Sequence, residues 1–420
     1  MHVAHFIHRY PPALGGAESY FARLSRHLAG RGEAVTVHTT NALALEAFWS
    51  KTAERLPSGE EQIDGVRVRR YPIRYFPGRR YVLKALSLLP SAKLQAFTLP
   101  CNPLVPALWT EMGRAAGIDI IHASAFPYAW PILCARRAAR RLGVPFCLTP
   151  FLHLGDPSAK DDQTRRQYLG RGLRWLLREA DCIFVQTGLE REAVLAQGVA
   201  ADGIVLQGLG VEFTECTGGQ RARADARWSL PAEALRIGHL ANLSEEKGSC
   251  DLLRALGVLW DEGLKVRAVL AGPSMPNFER YWATVPAKHR AMVSRLGVVA
   301  EEEKADFYAT LDLFALPSRS DSFGLVLLEA WANGVPCVGY CAGGVAEVIH
   351  HEEDGLLVSC GNVVELAAAL RRLAEDAALR QRFGASGKAR MARDHRWEPK
   401  LEMVRSVYQK FITSGGRRGA

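Results

Sequence analysis

Short apolar segments alternate with amphipathic ones along most of the chain. Near the N-terminus, the apolar segment 3–8 precedes a Gly/Pro loop, a helical pattern over 17–29 and a second apolar segment, Ala34–Thr40. Gly30 and Gly32 are suitable residues to end that helix. This order predicts two parallel strands joined by a helix, a βαβ unit.

The same alternation continues through both halves of the chain. Further strands are predicted at 118–122, 146–149, 182–186, 235–240, 266–271, 313–316, 335–339 and 356–358. Helices are predicted at 131–141, 252–260, 304–310, 325–332 and 346–350, within 362–392, and at 400–412. Strands that alternate with helices predict an α/β fold with parallel sheets covered on both faces.

A polar, turn-rich stretch at 218–228 divides these two series of elements and is predicted to be a linker. We therefore expect two domains, residues 1–208 and residues 209–395. The C-terminal helix, whose amphipathic pattern covers 400–412, is assigned the bounds 396–413 and grouped with the first domain.

The excess of positive over negative charge is confined to the N-terminal half. Residues 1–205 carry 26 Lys and Arg against 17 Asp and Glu, whereas the remainder carries 27 of each. This favours an anionic partner there: a phosphorylated acceptor, an anionic membrane or nucleic acid. No base-reading motif supports nucleic acid, so none is expected as a partner.

Cysteine usage and hydropathy bear on the cellular compartment. The nine cysteines include no C-x-x-C pair, and an odd count without framework spacing predicts reduced thiols. No signal-peptide pattern and no run of about 18 apolar residues is present, so a cytoplasmic protein without a membrane-spanning helix is expected.

The segment 74–106 differs from its surroundings because Tyr, Phe and Leu are interleaved with Arg79, Arg80, Lys84 and Lys93. Two interpretations remain open. The segment is either an irregular insertion packed on its own domain, or an element that binds acceptor or a membrane surface.

The stretch 317–334, PSRSDSFGLVLLEAWANG, has the strongest chemical signal. A predicted helix begins near Phe323 and Gly324, and free N–H groups at a helix N-terminus bind phosphate. Asp321 and Glu329 lie eight residues apart, roughly 12 Å along a helical path. One carboxylate could hold a transferred sugar and the other a ribose, or Asp321 could be an N-cap and Glu329 a solvated side chain.

This stretch resembles the acidic-x7-acidic motif P-S-x-x-E-x-F-G-x-x-x-x-E-A of retaining GT-B glycosyltransferases of family 4, with Asp321 in place of the first Glu. The resemblance implies two Rossmann-like domains facing each other across a cleft, with donor bound by the C-terminal one. It also implies that helix 396–413 packs back on the N-terminal acceptor domain, with Trp397 near the crossing.

Four more stretches resemble family motifs in the same order. They are the glycine-rich loop with Gly15 and Gly16, NLSEEKG over 242–248, the Ala-Gly-Pro turn at 271–273, and CAGGVAE over 341–347. The resemblance implies that Lys247 pairs with donor phosphates, with Asn242 where the family has Arg. It further implies a donor-binding set comprising Gly15, Gly16, Asn242, Lys247, Gly272, Val299, Lys304, Ser322, Phe323, Gly324, Leu325 and Glu329.

The catalytic residues implied by the resemblance are His153 and Asp321. His153 follows a predicted strand, where the family has a His near the scissile bond. The implied reaction is transfer from a UDP-, GDP- or ADP-sugar with retention, to a glycan, lipid-linked or small-molecule acceptor. No cofactor is expected, and no metal, because D-x-D and His/Cys ligand pairs are absent from the sequence.

Two other classes of function are compatible with this scaffold. A nucleotide-sugar epimerase or a phosphorylase would keep the fold and change the reaction, although no lysine stands out as a pyridoxal-phosphate ligand. A non-catalytic nucleotide-sugar-binding protein is the second alternative.

Two explanations of the basic N-terminal half stay open. The protein is expected either to make peripheral contact with the inner face of an anionic membrane, or to carry a positive charge that only aids its solubility.

Overall fold

The computed structural model describes residues 1–76, 78–159, 161–231 and 234–414. Within them the chain forms two compact units. The first contains 1–152, 165–207 and the chain from 401 onward, and the second contains 153–164 and 208–400. The sequence placed 153–164 in the N-terminal domain, whereas the structure groups this loop with the second unit.

The first unit is an α/β unit built on one sheet. Its strands are β1 (His2–Phe6), β2 (Ala34–Thr40), β3 (Gly59–Ile63), β4 (Val66–Tyr71), β5 (Ile120–Ala123), β6 (Phe146–Leu148), β7 (Cys182–Val185) and β8 (Ile204–Leu206). Its helices are α1 (Gly16–Gly30), α2 (Arg79–Ser87), α3 (Ala92–Phe97), α4 (Pro106–Met112), α5 (Ala129–Leu142), α6 (Gln163–Tyr168), α7 (Arg171–Glu179) and α8 (Gly188–Leu195). Helix α6 begins in the loop that belongs to the second unit.

The strands of this sheet lie in the order β3-β4-β2-β1-β5-β6-β7-β8. All described pairings are parallel except that of β3 with β4. The central strands are buried on both faces, as Val3, Phe6 and Ile121 show. Burial on both faces explains why the sequences of these strands are continuous apolar runs. Strand β3 lies at the edge of the sheet and is mostly exposed, and its sequence, GEEQI, is accordingly polar.

The second unit is also an α/β unit. Its strands are β9 (Leu235–Leu240), β10 (Val266–Ala271), β11 (Val293–Gly297), β12 (Leu313–Leu316), β13 (Cys337–Tyr340) and β14 (Gly355–Val358). Its helices are α9 (Phe213–Cys216), α10 (Arg221–Trp228), α11 (Ser249–Asp261), α12 (Pro276–Trp282), α13 (Ala287–Arg290), α14 (Lys304–Ala309), α15 (Leu325–Ala332), α16 (Val345–Val348), α17 (Val363–Glu375) and α18 (Ala377–Asp394). The last helix, α19 (Trp397–Thr413), begins in this unit and belongs to the first unit from Leu401 onward.

The second sheet has the order β11-β10-β9-β12-β13-β14, and its described pairings are all parallel. The order reverses between β9 and β12, so the loops after these two strands leave the sheet at a switch point, where α/β folds bind ligands. The prediction of two Rossmann-like, mostly parallel α/β sheets is confirmed.

The linker predicted at 218–228 is wrong for most of its length, because Arg221–Trp228 is helix α10. Its arginines pair with carboxylates of the same unit: Arg223 Nη2 donates to Asp306 Oδ1 at 2.7 Å, and Arg221 lies 3.2 Å from Asp312. Composition alone indicated a turn, whereas these ion pairs and the buried Ala224 hold a helix.

The segment 74–106 contains helices α2 and α3 and the start of α4, so it is less irregular than the sequence suggested. Ser91 caps α3 by accepting a hydrogen bond from the Leu94 backbone N–H. Leu83 and Ala96 are buried, whereas many other apolar side chains of this segment are exposed.

The C-terminal helix α19 contributes buried side chains to the first unit from Leu401 onward. The Tyr408 hydroxyl is hydrogen bonded to the ring of the buried His122, and Arg405 lies 2.9 Å from Glu33. No helix among the described residues has both the length and the apolar character needed to cross a membrane.

Candidate active site

The acidic motif lies in the loop between β12 and α15. Asp321 Oδ2 accepts a hydrogen bond from Lys247 Nζ at 2.7 Å, and Asp321 Oδ1 accepts one from the Phe323 backbone N–H at 3.3 Å. The residue at the N-cap of α15 is Gly324, and no side chain caps this helix. The interpretation of Asp321 as an N-cap is therefore wrong, and its carboxylate is instead held by a lysine from another loop.

Lys247 is placed by the glycine that follows it. Gly248 has φ of +73°, and a Cβ at this position would lie 1.8 Å from the Pro317 carbonyl oxygen. Only glycine therefore lets the loop after β9 approach the start of the acidic motif so closely. The Arg319 backbone N–H also donates to the Glu246 carbonyl at 2.9 Å, which fixes the two loops against each other.

His153 lies in the same cluster, because the loop 153–164 is tied to the glycine loop after β13. The Gly343 N–H donates to the Gly155 carbonyl at 2.9 Å, and the Gly344 N–H donates to the Asp321 carbonyl at 2.7 Å. The structure thus brings together His153, Asp321 and Lys247, which are far apart in the sequence.

The pKa values of His153 and Asp321 are both lowered in this cluster, which leaves the imidazole neutral and the carboxylate charged at neutral pH. Burial and the nearby Lys247 ammonium lower the pKa of His153 to about 4, although Asp321 and a hydrogen bond with the Ser320 backbone oppose them. Burial would raise the pKa of Asp321, but Lys247 and His153 outweigh it and hold the pKa at about 2. At neutral pH the cluster therefore holds a neutral imidazole beside a carboxylate–ammonium pair.

Glu329 belongs to a second polar group on α15. Its Oε2 accepts a hydrogen bond from the Tyr308 hydroxyl at 2.7 Å, and its Oε1 lies 3.4 Å from Lys304 Nζ. Burial would lower the pKa of Lys304, but the carboxylates of Glu329 and Glu301 more than offset it and raise that pKa. Glu329 is therefore a positioned acceptor with two partners, and the interpretation as a merely solvated side chain is wrong.

The remaining predicted donor-binding residues of the second unit differ in their burial and lie in different loops or in the first turn of α15. Gly272 follows β10 with φ of +118°, Val299 and Phe323 are buried, and Asn242 is exposed. Ser322 and Leu325 flank Phe323 and Gly324 in the loop and first turn of α15.

Gly15 and Gly16 belong to the first unit, where they begin α1. The buried Glu18 lies behind this turn, 2.6 Å from Arg9 and 3.2 Å from His8. This carboxylate was not predicted from the sequence, although its position two residues after the Gly-Gly pair was a usable signal.

An ion-pair network beneath the acidic motif was also not predicted from the sequence. The buried Asp251 pairs with Arg254 at 2.6 Å and with Arg319, which is part of the motif itself. A buried carboxylate with two arginine partners stiffens the loop that carries Asp321. Among the described residues, no group of three or more His, Cys, Asp or Glu side chains is arranged to hold a metal ion.

Comparison with known proteins agrees with this geometry. The family model "Glycosyl transferase 4-like domain" matches residues 15–210, and "Glycosyl transferases group 1" matches residues 220–390. Together the two matches cover most of both units.

One curated relative is the D-inositol 3-phosphate glycosyltransferase of Nocardioides sp., 27% identical, with 94% of this chain and 85% of that protein covered. Sucrose-phosphate synthase from Thermosynechococcus elongatus has a similar structure, with a TM-score of 0.74, 22% identity, and coverage of 98% of this chain and 99% of that one. Anabaena HepE, solved with UDP and glucose, has a TM-score of 0.72, 18% identity, and coverage of 98% and 100%.

The fold is that of the GT-B class, and the protein is a glycosyltransferase. The chain belongs to the GT-B glycosyltransferases. Its N-terminal half matches the glycosyl transferase 4-like domain, and its C-terminal half matches the domain of glycosyl transferases group 1.

Proposed function

We propose that this glycosyltransferase takes its sugar from a nucleoside diphosphate sugar bound by the second unit. The observation that carries the proposal is the cluster formed by Lys247 in the loop after β9, Asp321 in the loop after β12 and His153 in the loop 153–164. One cation, one anion and one neutral hydrogen-bonding ring meet there. A diphosphate, a sugar hydroxyl and a reacting anomeric carbon require these three kinds of group.

The donor's two ends would be held by different residues. Lys247 and the free N–H groups at the start of α15 would bind the diphosphate, with Gly324 allowing close approach. Glu329, already held by Tyr308 and Lys304, would accept hydrogen bonds from the ribose hydroxyls. UDP-glucose is the first donor to test, because HepE was solved with it, and GDP- and ADP-sugars follow.

The reaction proposed is substitution with retention, in keeping with the family resemblance. The bond between the anomeric carbon and the diphosphate oxygen breaks, and the acceptor oxygen bonds to the same face of the sugar. The acceptor proton passes to the leaving phosphate oxygen. Lys247 would neutralise the charge that develops on that phosphate, Asp321 would orient the sugar, and the neutral His153 would hydrogen bond to it near the scissile bond.

The acceptor is proposed to be anionic or presented at an anionic surface, because the N-terminal half carries the entire net charge of +9. The relative named above acts, by its name, on a phosphorylated small molecule. We include peripheral contact with the inner face of an anionic membrane in this proposal, with a lipid-linked acceptor as one candidate.

A screen of nucleotide sugars tests the donor assignment. A ligand that binds the native state raises its apparent stability, so the cognate nucleotide sugar should raise the Tm of the wild-type protein. The same donor should be hydrolysed slowly without acceptor, and Asp321→Asn should lose this hydrolysis. If no nucleotide sugar shifts the Tm or is hydrolysed, the proposed donor class is wrong.

A further inference from the structure

The first unit carries an exposed apolar surface on and around helix α2. Among the described residues, fourteen large hydrophobic side chains are exposed, and six of them lie within residues 76–89. We call these six the α2 surface: Phe76, Tyr81, Val82, Leu86, Leu88 and Leu89. Tyr81 and Leu88 are 81% and 80% exposed, so these side chains have almost no contact with the rest of the protein.

Helical geometry places most of this surface on one side of α2. At 100° per residue, Tyr81, Val82, Leu86 and Leu88 fall within an arc of about 160°. Leu83 lies outside that arc and is buried, so the helix rests on its own unit through Leu83. The apolar arc therefore points away from the unit, an arrangement that burial within this unit does not explain.

Basic residues accompany the apolar ones, and acidic residues do not. Residues 74–106 contain five Lys and Arg and no Asp or Glu. Lys84 lies about 40° from Leu88 around the helix, at the edge of the arc, and both Lys84 and Lys93 are exposed. An apolar face with a basic residue at its edge and another on the next helix suits the interface of an anionic bilayer.

An exposed tryptophan adjoins the start of α2. The Arg79 guanidinium donates to the Phe48 carbonyl, and Trp49, the next residue, is exposed. Tryptophan is enriched at the boundary between lipid headgroups and acyl chains, because its ring is apolar and its N–H is polar. The side chains suited to that boundary are thus grouped at one place on the first unit.

We propose that the α2 surface inserts into the headgroup region of an anionic lipid bilayer and docks the acceptor-binding unit there. Tyr81, Val82, Leu86 and Leu88 enter the boundary with the acyl chains, while Lys84 and Lys93 pair with lipid phosphates. This inference rests on the membrane contact included in the proposed function and assigns it to a surface. It places the acceptor in, or attached to, the bilayer.

The test measures binding of the full-length protein to vesicles by sedimentation. Wild-type protein should bind vesicles of phosphatidylglycerol and phosphatidylcholine at low salt, and bind phosphatidylcholine vesicles far more weakly. The double variant Tyr81→Ser/Leu88→Ser should bind the anionic vesicles at least about tenfold more weakly, since two inserted side chains are lost. Lys84→Gln should weaken binding about fivefold and only to the anionic vesicles.

Val364→Ser is the matched control, because Val364 is 78% exposed and lies on α17 of the second unit. It should bind vesicles as the wild type does. Donor hydrolysis is measured in parallel for each variant, and it should be unchanged because none of these residues belongs to the candidate active site.

Three results would overturn the inference. The first is wild-type protein that does not bind anionic vesicles, and the second is a double variant that binds them as tightly as wild type does. The third is self-association through this surface, seen as dimers that the double variant abolishes without any vesicle binding. If donor hydrolysis persists in these cases, the proposed transfer reaction stands without the membrane surface.

Discussion

The substitution Lys247→Met is the most informative test of the candidate active site, because Lys247 pairs with Asp321 and is also proposed to bind the donor diphosphate. Lys247 Nζ lies 2.7 Å from Asp321 Oδ2, with the two side chains 25% and 17% exposed. With donor bound, we propose that the same ammonium binds the diphosphate. The substitution should therefore change both stability and donor affinity.

The effect on stability follows from the pKa of Asp321. This pKa is about 2 in the folded protein, whereas an unperturbed aspartate in the unfolded chain has a pKa of 3.8. The difference corresponds to about 2 kcal/mol of stability. Because the folded pKa is depressed, the stabilisation is present above about pH 4 and is lost as the pH falls toward 2. Lys247→Met should remove most of it at neutral pH, and Lys247→Met/Asp321→Asn should recover part.

The effect on donor affinity is the loss of one charge-assisted contact. Such a hydrogen bond contributes about 1.5–3 kcal/mol, so UDP or the cognate nucleotide sugar should bind roughly 10- to 150-fold more weakly. Isothermal titration calorimetry measures the affinity, and urea unfolding measures the stability. Asp321→Asn should bind the free nucleotide at least as tightly as wild type, because Lys247 is released from its carboxylate.

Lys288→Met is the matched control for this series. Lys288 Nζ lies 2.5 Å from Asp261 Oδ1, also in the second unit, but the two side chains are 70% and 51% exposed. An exposed pair contributes little, so this variant should change neither quantity. Unchanged donor affinity in Lys247→Met, with the expected loss of stability, would refute the phosphate role and leave Lys247 as a partner of Asp321 alone.

Three other substitutions test separate parts of the structure. Glu329→Gln should weaken free nucleotide and nucleotide sugar alike in calorimetry, whereas Asp321→Asn should reduce turnover; equal loss of nucleotide binding in both would contradict this division. Burial lowers the pKa of His239 to about 4, so between about pH 6.5 and 4 its imidazole binds a proton in the unfolded state only. This histidine should therefore contribute about 1.4 kcal/mol per pH unit to the fall in unfolding free energy as the pH drops through that window, in addition to the contributions of the other buried histidines. His239→Asn should show a flatter dependence in urea unfolding, and an identical slope would rule this histidine out. Gly248→Ala should lower the unfolding free energy by more than Gly263→Ala, since both have positive φ but only the first Cβ would meet a facing carbonyl; the cost at Gly263 should be about 1–2 kcal/mol, and equal costs would contradict the close approach.

The strands and helices that cross the core could be predicted from the sequence, because burial on both faces leaves continuous apolar runs that differ from helical periodicity. Ala34–Thr40, Leu235–Leu240 and Val266–Ala271 are strands with the predicted bounds. The pattern failed for β3, whose residues are mostly exposed, and for α10, whose polar residues suggested a turn. In both, pairing with a neighbouring element, and not local hydrophobicity, decides the structure.

The residue types of the candidate active site were also evident from sequence, since Asp321, Glu329 and Lys247 stand in recognisable spacing within their motifs. Their partners were not. The motif predicted that Lys247 binds a phosphate, whereas the structure shows that Lys247 pairs with Asp321. The structure also shows that Tyr308 and Lys304 are the partners of Glu329. Side-chain partners from separate loops depend on how the sheet brings the ends of its strands together.

The sequence by itself determined the alternating α/β architecture, the motifs of the donor-binding half and the uneven distribution of charge, because each is a property of local composition and spacing. Only the tertiary structure decided that the loop carrying His153 joins the second unit, that Asp321 is an ion-pair partner and not a helix cap, and that the apolar residues of α2 face outward. Each of these depends on contacts between segments that are distant in the chain, and periodicity along the chain carries no information about such contacts.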